Sequence, residues 1–336
     1  MLRTALLVAT TALTPALAAA EGQLNLYSSR HYDTDERLYT DFEDLYDVII
    51  YRIEGDADEL ITRMQAEGRN SPADVFLTVD TSRLARAAEL GLLQPTDSDV
   101  LEQRIPANLQ DTGNLWFGFS QRARIIFYNT ETVDTPPQTY LELADPAYQG
   151  MVCIRSSTNT YNQTLLAAMI EHYGEEAARD WAAGVVANMA RDPQGGDTDQ
   201  LRAIVSGECD IAVSNTYYFA RALGGDVDGV SEAIGTIGWV FPDQGGNGAH
   251  VNISGGGVAA HAPNAENARL FLDYLASDQA QEYFSAGNNE FPAVEGVALA
   301  PNVAALGEFE ADDVELSAVA RHLGTAQTIF NEVGWE

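Results

Sequence analysis

The chain has 336 residues, room for two domains with separate cores, and carries a formal net charge of −32 in which all 18 basic residues are arginine. Such a surface repels phosphate backbones and anionic headgroups, which excludes nucleic-acid and membrane-surface binding and fits adaptation to a salty medium better than the gathering of cations. The two cysteines, Cys153 and Cys209, lack both the spacing of a metal knuckle and that of a Cys-x-x-Cys redox pair.

In chain order, Met1-Leu2-Arg3, the apolar residues 5–17 and the small-residue end Ala18-Ala19-Ala20 read as a secretory signal, residues 1–20, cleaved before Glu21. No later apolar run is long enough to cross a bilayer, and no cysteine stands at the cleavage point to carry a lipid anchor. The expected location is the periplasm, where Cys153 and Cys209, each beside a short apolar run, are candidates for a structural disulfide between neighbouring strands.

Residues 23–29 alternate as a strand and deliver His31 and Tyr32 to its carboxyl end, the edge at which open α/β sheets bind ligands. An acidic helix over 35–45, a strand over 48–53, a helix carrying Leu60, Ile61 and Met64, and a buried strand over 73–79 follow. This β-α-β-α-β rhythm predicts a largely parallel sheet with helices on both faces. A helix over 81–90 stops at Gly91, and the long apolar stretch over 115–129 is predicted to pass from one lobe into another as a hinge. Arg122 and Arg124 inside it are costly unless paired, which makes both candidates to face an anionic site. Residues 156–162 form a polar loop at a helix start, so Tyr161 sits at a loop-to-helix junction. Ser214-Asn215-Thr216-Tyr217-Tyr218 repeats that situation after the apolar Ile211-Ala212-Val213, with Ser214, Asn215 or Thr216 available as N-cap and Arg221 one turn along the same face. Residues 237–258 supply the return crossing, helices over 266–275 and 278–284 are expected on the first lobe, and a last helix over 314–331 on the second. Gly255-Gly256-Gly257 is no phosphate loop, because its spacing is wrong and the chain has no lysine.

Taken singly, each tyrosine is better read as core filling than as a ligand. Together, Tyr32, Tyr161, Tyr217 and Tyr218 stand at the ends of core elements in both predicted lobes, with His31 beside the first. Phenolate oxygen is a hard anionic donor suited to a hard trivalent ion such as Fe(III); zinc prefers thiolate and imidazole, and calcium calls for carboxylates and carbonyls. Four phenolates around a 3+ ion leave one surplus negative charge, which Arg122 or Arg221 would offset.

With Tyr27-Ser28-Ser29-Arg30-His31-Tyr32-Asp33, Ala73-Asp74-Val75, Arg122-Ala123-Arg124, the Tyr161 loop, Ser214 to Tyr218, Gly248-Ala249-His250-Val251-Asn252-Ile253-Ser254-Gly255 and Asn289-Glu290-Phe291-Pro292, the chain resembles the periplasmic ferric-iron-binding proteins of bacterial ABC importers, in particular the cyanobacterial and marine type with a tyrosine-rich site. The resemblance implies an α/β fold of the two-lobed type II periplasmic solute-binding kind with hinge strands between the lobes. It places residues 21–120 plus about 250–300 in the N-terminal lobe and 121–249 plus about 301–336 in the C-terminal lobe. It also implies Tyr32, Tyr161, Tyr217 and Tyr218 as Fe(III) ligands, His31 or a water as a fifth, and Arg122 and Arg221 as the cations beside them, with Arg124 able to replace Arg122. The implied partners are ferric iron and an inner-membrane ABC permease, for a monomer that is not an enzyme. A rival binding protein would take a small organic anion on the tyrosines and arginines. A periplasmic hydrolase would pair a serine with His31 or His250, although no Gly-x-Ser-x-Gly elbow is present.

Overall fold

The computed structural model describes residues 22–30 and 32–336, so the signal segment and His31 lie outside the described residues. Strand β1 (Gly22–Ser28) pairs in parallel with β2 (Val48–Glu54) on one side and with β3 (Val75–Thr78) on the other. β3 is buried along its whole length, as expected of an unbroken Val-Phe-Leu-Thr run, while β2 at the sheet edge leaves Ile49 and Tyr51 exposed. The helix Glu36–Tyr46 covers this sheet through Leu38, Tyr39 and Phe42, with Phe42 edge-on to Phe271 at 5.0 Å between ring centroids. The helices Ala265–Leu275 and Asp278–Asn288 lie on the same part of the molecule.

The predicted largely parallel sheet holds for these three strands and for one short pair further on, and the pairings between them are antiparallel. Strand β4 (Phe117–Asn129) and strand β8 (Val251–Val258) run antiparallel to each other, and β8 runs antiparallel to β3. The sequence rhythm could not show this, because β8 arrives from more than a hundred residues downstream. Over Phe117–Ala123, β4 pairs with β8, and at Ser120 and Gln121 also with the short β9 (Phe291–Pro292). From Arg124 onward it changes partners to β6 (Ile211–Asn215), and from Ile126 to β7 (Ile237–Val240) as well. β5 (Val152–Cys153) joins β6 in parallel. Gly255 and Gly256 lie inside β8, where an added Cβ would come within 2.5 and 2.8 Å of the carbonyl oxygens of Phe117 and Phe76, so the cluster permits close strand approach.

A second core gathers Trp181, Phe330 and Trp335 around the helices Thr160–Tyr173 and Glu175–Asn188. Cys153 and Cys209 form a disulfide with Cα atoms 5.9 Å apart, stapling β5 to the start of β6. The single last helix predicted over 314–331 is two, Leu316–Ala320 and Leu323–Val333. The break at Arg321-His322 lets the shorter piece lie against both Thr81–Glu89 and Thr160–Tyr173, while the longer one packs on the second core.

Candidate metal centre

Three chain segments supply the tyrosines. Tyr32 follows the carboxyl end of β1 and stands at the N-cap of the short turn Asp33–Asp35. Tyr161 occupies the first turn of Thr160–Tyr173, where its amide donates to the side chain of the N-cap Asn159 at 3.2 Å. Tyr217 and Tyr218 open the helix Thr216–Leu223 directly after β6. Asn215 takes the N-cap position there, yet its side-chain oxygen accepts from Arg124 Nη1 at 3.1 Å instead of capping the helix.

These positions converge. The hydroxyls of Tyr161 and Tyr217 are 3.2 Å apart, and the Tyr217 and Tyr218 rings lie 4.1 Å apart at an interplanar angle of 33°. Burial pushes the Tyr32 phenol well above its ordinary pKa, and the charges of Glu290 and Tyr161 push the same way against Arg30. Tyr217 is raised well above its ordinary value, by burial and then by Tyr161, Tyr218 and Tyr32 in turn; Tyr218 is raised by burial, Tyr161 and Asp197. The four phenols thus act on one another, and a cation entering among them must displace their protons. Among the described residues, no group of three or more His, Cys, Asp or Glu could hold a metal ion.

Guanidinium groups surround the Tyr161 ring: Arg122, Arg124 and Arg155 lie 5.6, 5.9 and 5.7 Å from its centroid. Arg122 and Arg124 share one face of β4 because a strand repeats every two residues, so no choice between them is needed. Arg124 is buried and paired, donating to Asn162 Oδ1 at 2.7 Å and to Asp197 at 3.2 Å. Arg122 donates to Ser254 Oγ at 3.2 Å and lies 3.7 Å from Glu290. Burial works against its charge, and Glu290, Tyr161 and Tyr217 more than offset that.

No hydrogen bond or ion pair joins Arg221 to this cluster among the described residues. Arg221 is exposed and forms no ion pair among the described residues. Helical side chains slant toward the N-terminus, so the tyrosines of the first turn reach past the helix end while Arg221 is carried about 6 Å back along the axis. Arg155 and Asp197 were missed by sequence reasoning; the only cue to Arg155 was a charge directly after the apolar Met151 to Ile154. His250 is wholly buried, neither ring nitrogen holds a hydrogen bond among the described residues, and burial together with Arg124 drives its pKa down to about 3. No serine hydroxyl is bonded to it among the described residues.

A mixed sheet whose long strand changes partners midway, with a ligand-type cluster beside the crossing, is the architecture of the type II periplasmic solute-binding proteins. The model of the family described as bacterial extracellular solute-binding protein matches residues 70–309, and the chain belongs to that family. It is 47% identical over 316 residues to iron uptake protein A1 of Synechocystis, covering 94% of this chain and 88% of that one. It is likewise similar to a Trichodesmium protein solved in complex with iron and citrate ligands, with TM-score 0.90, 47% identity, and 94% of this chain and 100% of that one covered. A ferric binding protein from Campylobacter jejuni gives TM-score 0.86 and 38% identity, covering 93% of this chain and 100% of that one.

Proposed function

We propose that this protein captures Fe(III) through the phenolate oxygens of Tyr32, Tyr161, Tyr217 and Tyr218 and hands it to an inner-membrane ABC permease, as a monomeric periplasmic binding protein without turnover of its own. The observation that carries the reading is the meeting of hydroxyl-bearing rings from three chain segments, two hydroxyls 3.2 Å apart, where the described residues offer no other metal-type cluster. Iron uptake by the Synechocystis relative and iron in the Trichodesmium structure support the choice of cargo. The hard phenolate set supports Fe(III) over softer ions.

The proposed lobes are residues 21–120 with about 250–300, and 121–249 with about 301–336. The change of partners in β4 between Ala123 and Arg124, three residues past the 120/121 division, supports a lobe boundary within this strand. In this scheme Tyr161, Tyr217 and Tyr218 receive the ion first, already assembled on one lobe, and Tyr32 closes over it with His31 as a fifth donor. Arg124 and Arg155 hold positive charge against the surplus of the phenolates, Arg122 stands beside them with its charge met by Glu290, and Arg221 has no part.

Titration of the purified protein with ferric citrate, followed by visible absorbance, tests the reading. A phenolate-to-iron charge-transfer band is expected, largely lost in Tyr217→Phe and Tyr218→Phe and retained in Tyr173→Phe and Tyr274→Phe. No band, or equal effects at all four positions, defeats the assignment. A small organic anion is the runner-up, favoured by a cavity of about 420 Å³ lined by Ser29, Arg83, Thr160 and Tyr161. Asp56 and Asp80 line the same cavity and would repel it.

A further inference from the structure

We propose that Glu290 is a positioning residue of the iron site: a buried carboxylate at the strand crossing that holds two guanidiniums back from the phenolates and so keeps bound iron releasable. The proposal rests on the ferric reading above.

Glu290 is 1% exposed and lies between the left-handed helix cap Asn289, with φ of 60°, and β9. Pairing of β9 with β4 at Ser120 and Gln121 delivers the carboxylate to the strand crossing. There it accepts from Ser120 Oγ of β4 at 2.6 Å and from Ser254 Oγ of β8 at 3.4 Å. On one side stands Arg30, with Nη1 3.6 Å from Glu290, a two-pronged grip on Asp35 at 2.8 and 2.9 Å, and its guanidinium 5.0 Å from the Tyr32 ring. On the other stands Arg122, with Nη1 3.7 Å from Glu290 and its guanidinium over Tyr161. One carboxylate thus lies between the cations behind tyrosines of two different chain segments.

Both cations have donors to spare. Arg30 Nη1, Arg122 Nε and Arg122 Nη2 are buried and hold no hydrogen bond among the described residues, an expensive state for a guanidinium. Arg30, Arg122, Asp35 and Glu290 sum to zero charge. Four phenolates around Fe(III) carry one surplus negative charge; Arg124 and Arg155, sharing Asp197, set one net positive charge against it, and with Glu290 ionised the quartet adds none. Without the Glu290 charge the quartet would add one further net positive charge beside the phenolates in a buried setting, and the spare donors would be drawn toward phenolate oxygen. The native arrangement therefore holds iron less tightly than the same arginines would allow, which suits a carrier that must give up its cargo.

The full-length protein loaded with Fe(III) is challenged with excess EDTA at pH 7 and decay of the charge-transfer band is timed. Glu290→Gln, which keeps the shape and can still accept from Ser120, is expected to slow iron loss about tenfold, the usual scale for groups that orient metal ligands. The band should also move to shorter wavelength, because positive charge near phenolate lowers the donor level. Loosened packing would instead speed the loss, so the direction separates a charge effect from structural damage. Glu290→Asp keeps the charge but retracts it by one methylene, is expected to give a smaller slowing, and decides the matter if Glu290→Gln does not fold. Unchanged or faster loss, or slower loss with an unmoved band, overturns the proposal. A wild-type protein with no band overturns the ferric reading itself, and this inference with it.

Discussion

Replacing Tyr217 with Phe removes one proposed ligand and almost nothing else. Its hydroxyl bonds to Tyr161 and its ring packs on Tyr218, so the fold should lose only about 1 kcal/mol. The effect on iron is much larger and depends on pH in a defined way. At pH 7 a phenol of ordinary pKa requires about 4 kcal/mol to ionise, and burial raises that requirement for Tyr217. The metal–phenolate bond must offset this before it contributes to affinity. Each phenol that binds releases a proton, so each makes affinity fall about tenfold per pH unit as the medium turns acidic. The wild-type advantage over Tyr217→Phe should therefore shrink about tenfold between pH 7.5 and 6.5. Competition with citrate at both pH values measures the ratio of the two affinities, in which the protonation of citrate itself cancels. A ratio that does not change with pH would refute Tyr217 as a ligand that ionises on binding.

Acid stability should trace to His250. Its unfolded form takes a proton below about pH 6.5 and its folded form only near pH 3, so stability present at neutral pH is lost as pH falls through that window. At pH 5 the loss is about 2 kcal/mol, and His250→Leu, which breaks no side-chain hydrogen bond, should flatten that part of a urea-unfolding profile. The disulfide closes a separation of 56 residues, and Cys153→Ser with Cys209→Ser should cost up to about 4 kcal/mol of unfolding free energy while leaving the iron band in place. Arg221→Ala should leave iron affinity within about twofold, as expected of an exposed charge, and a loss comparable to that of Tyr217→Phe would restore Arg221 to the site.

Much of the fold was legible because it is written locally. Apolar runs such as Val75 to Thr78 and Ile211 to Val213 mark buried strands, and the polar residues before Tyr161 and Tyr217 mark helix starts. The sheet direction was not legible, since the antiparallel pairing of β4 with β8 and β9 joins residues more than a hundred positions apart. The same distance hid Glu290, which meets Arg30 and Arg122 only after the chain has returned to the strand crossing. Arg221 could not be placed from its spacing, which gives the face of a helix but not how far along its axis a side chain reaches. Arg155 and Asp197 escaped because nothing in a charge beside an apolar run tells whether it turns inward.

Crystals grown with ferric citrate, measured at the iron absorption edge, would locate the ion directly. The account predicts one anomalous peak bonded to the hydroxyl oxygens of Tyr32, Tyr161, Tyr217 and Tyr218. A peak held by other side chains, or none in a protein that remains folded, would contradict it.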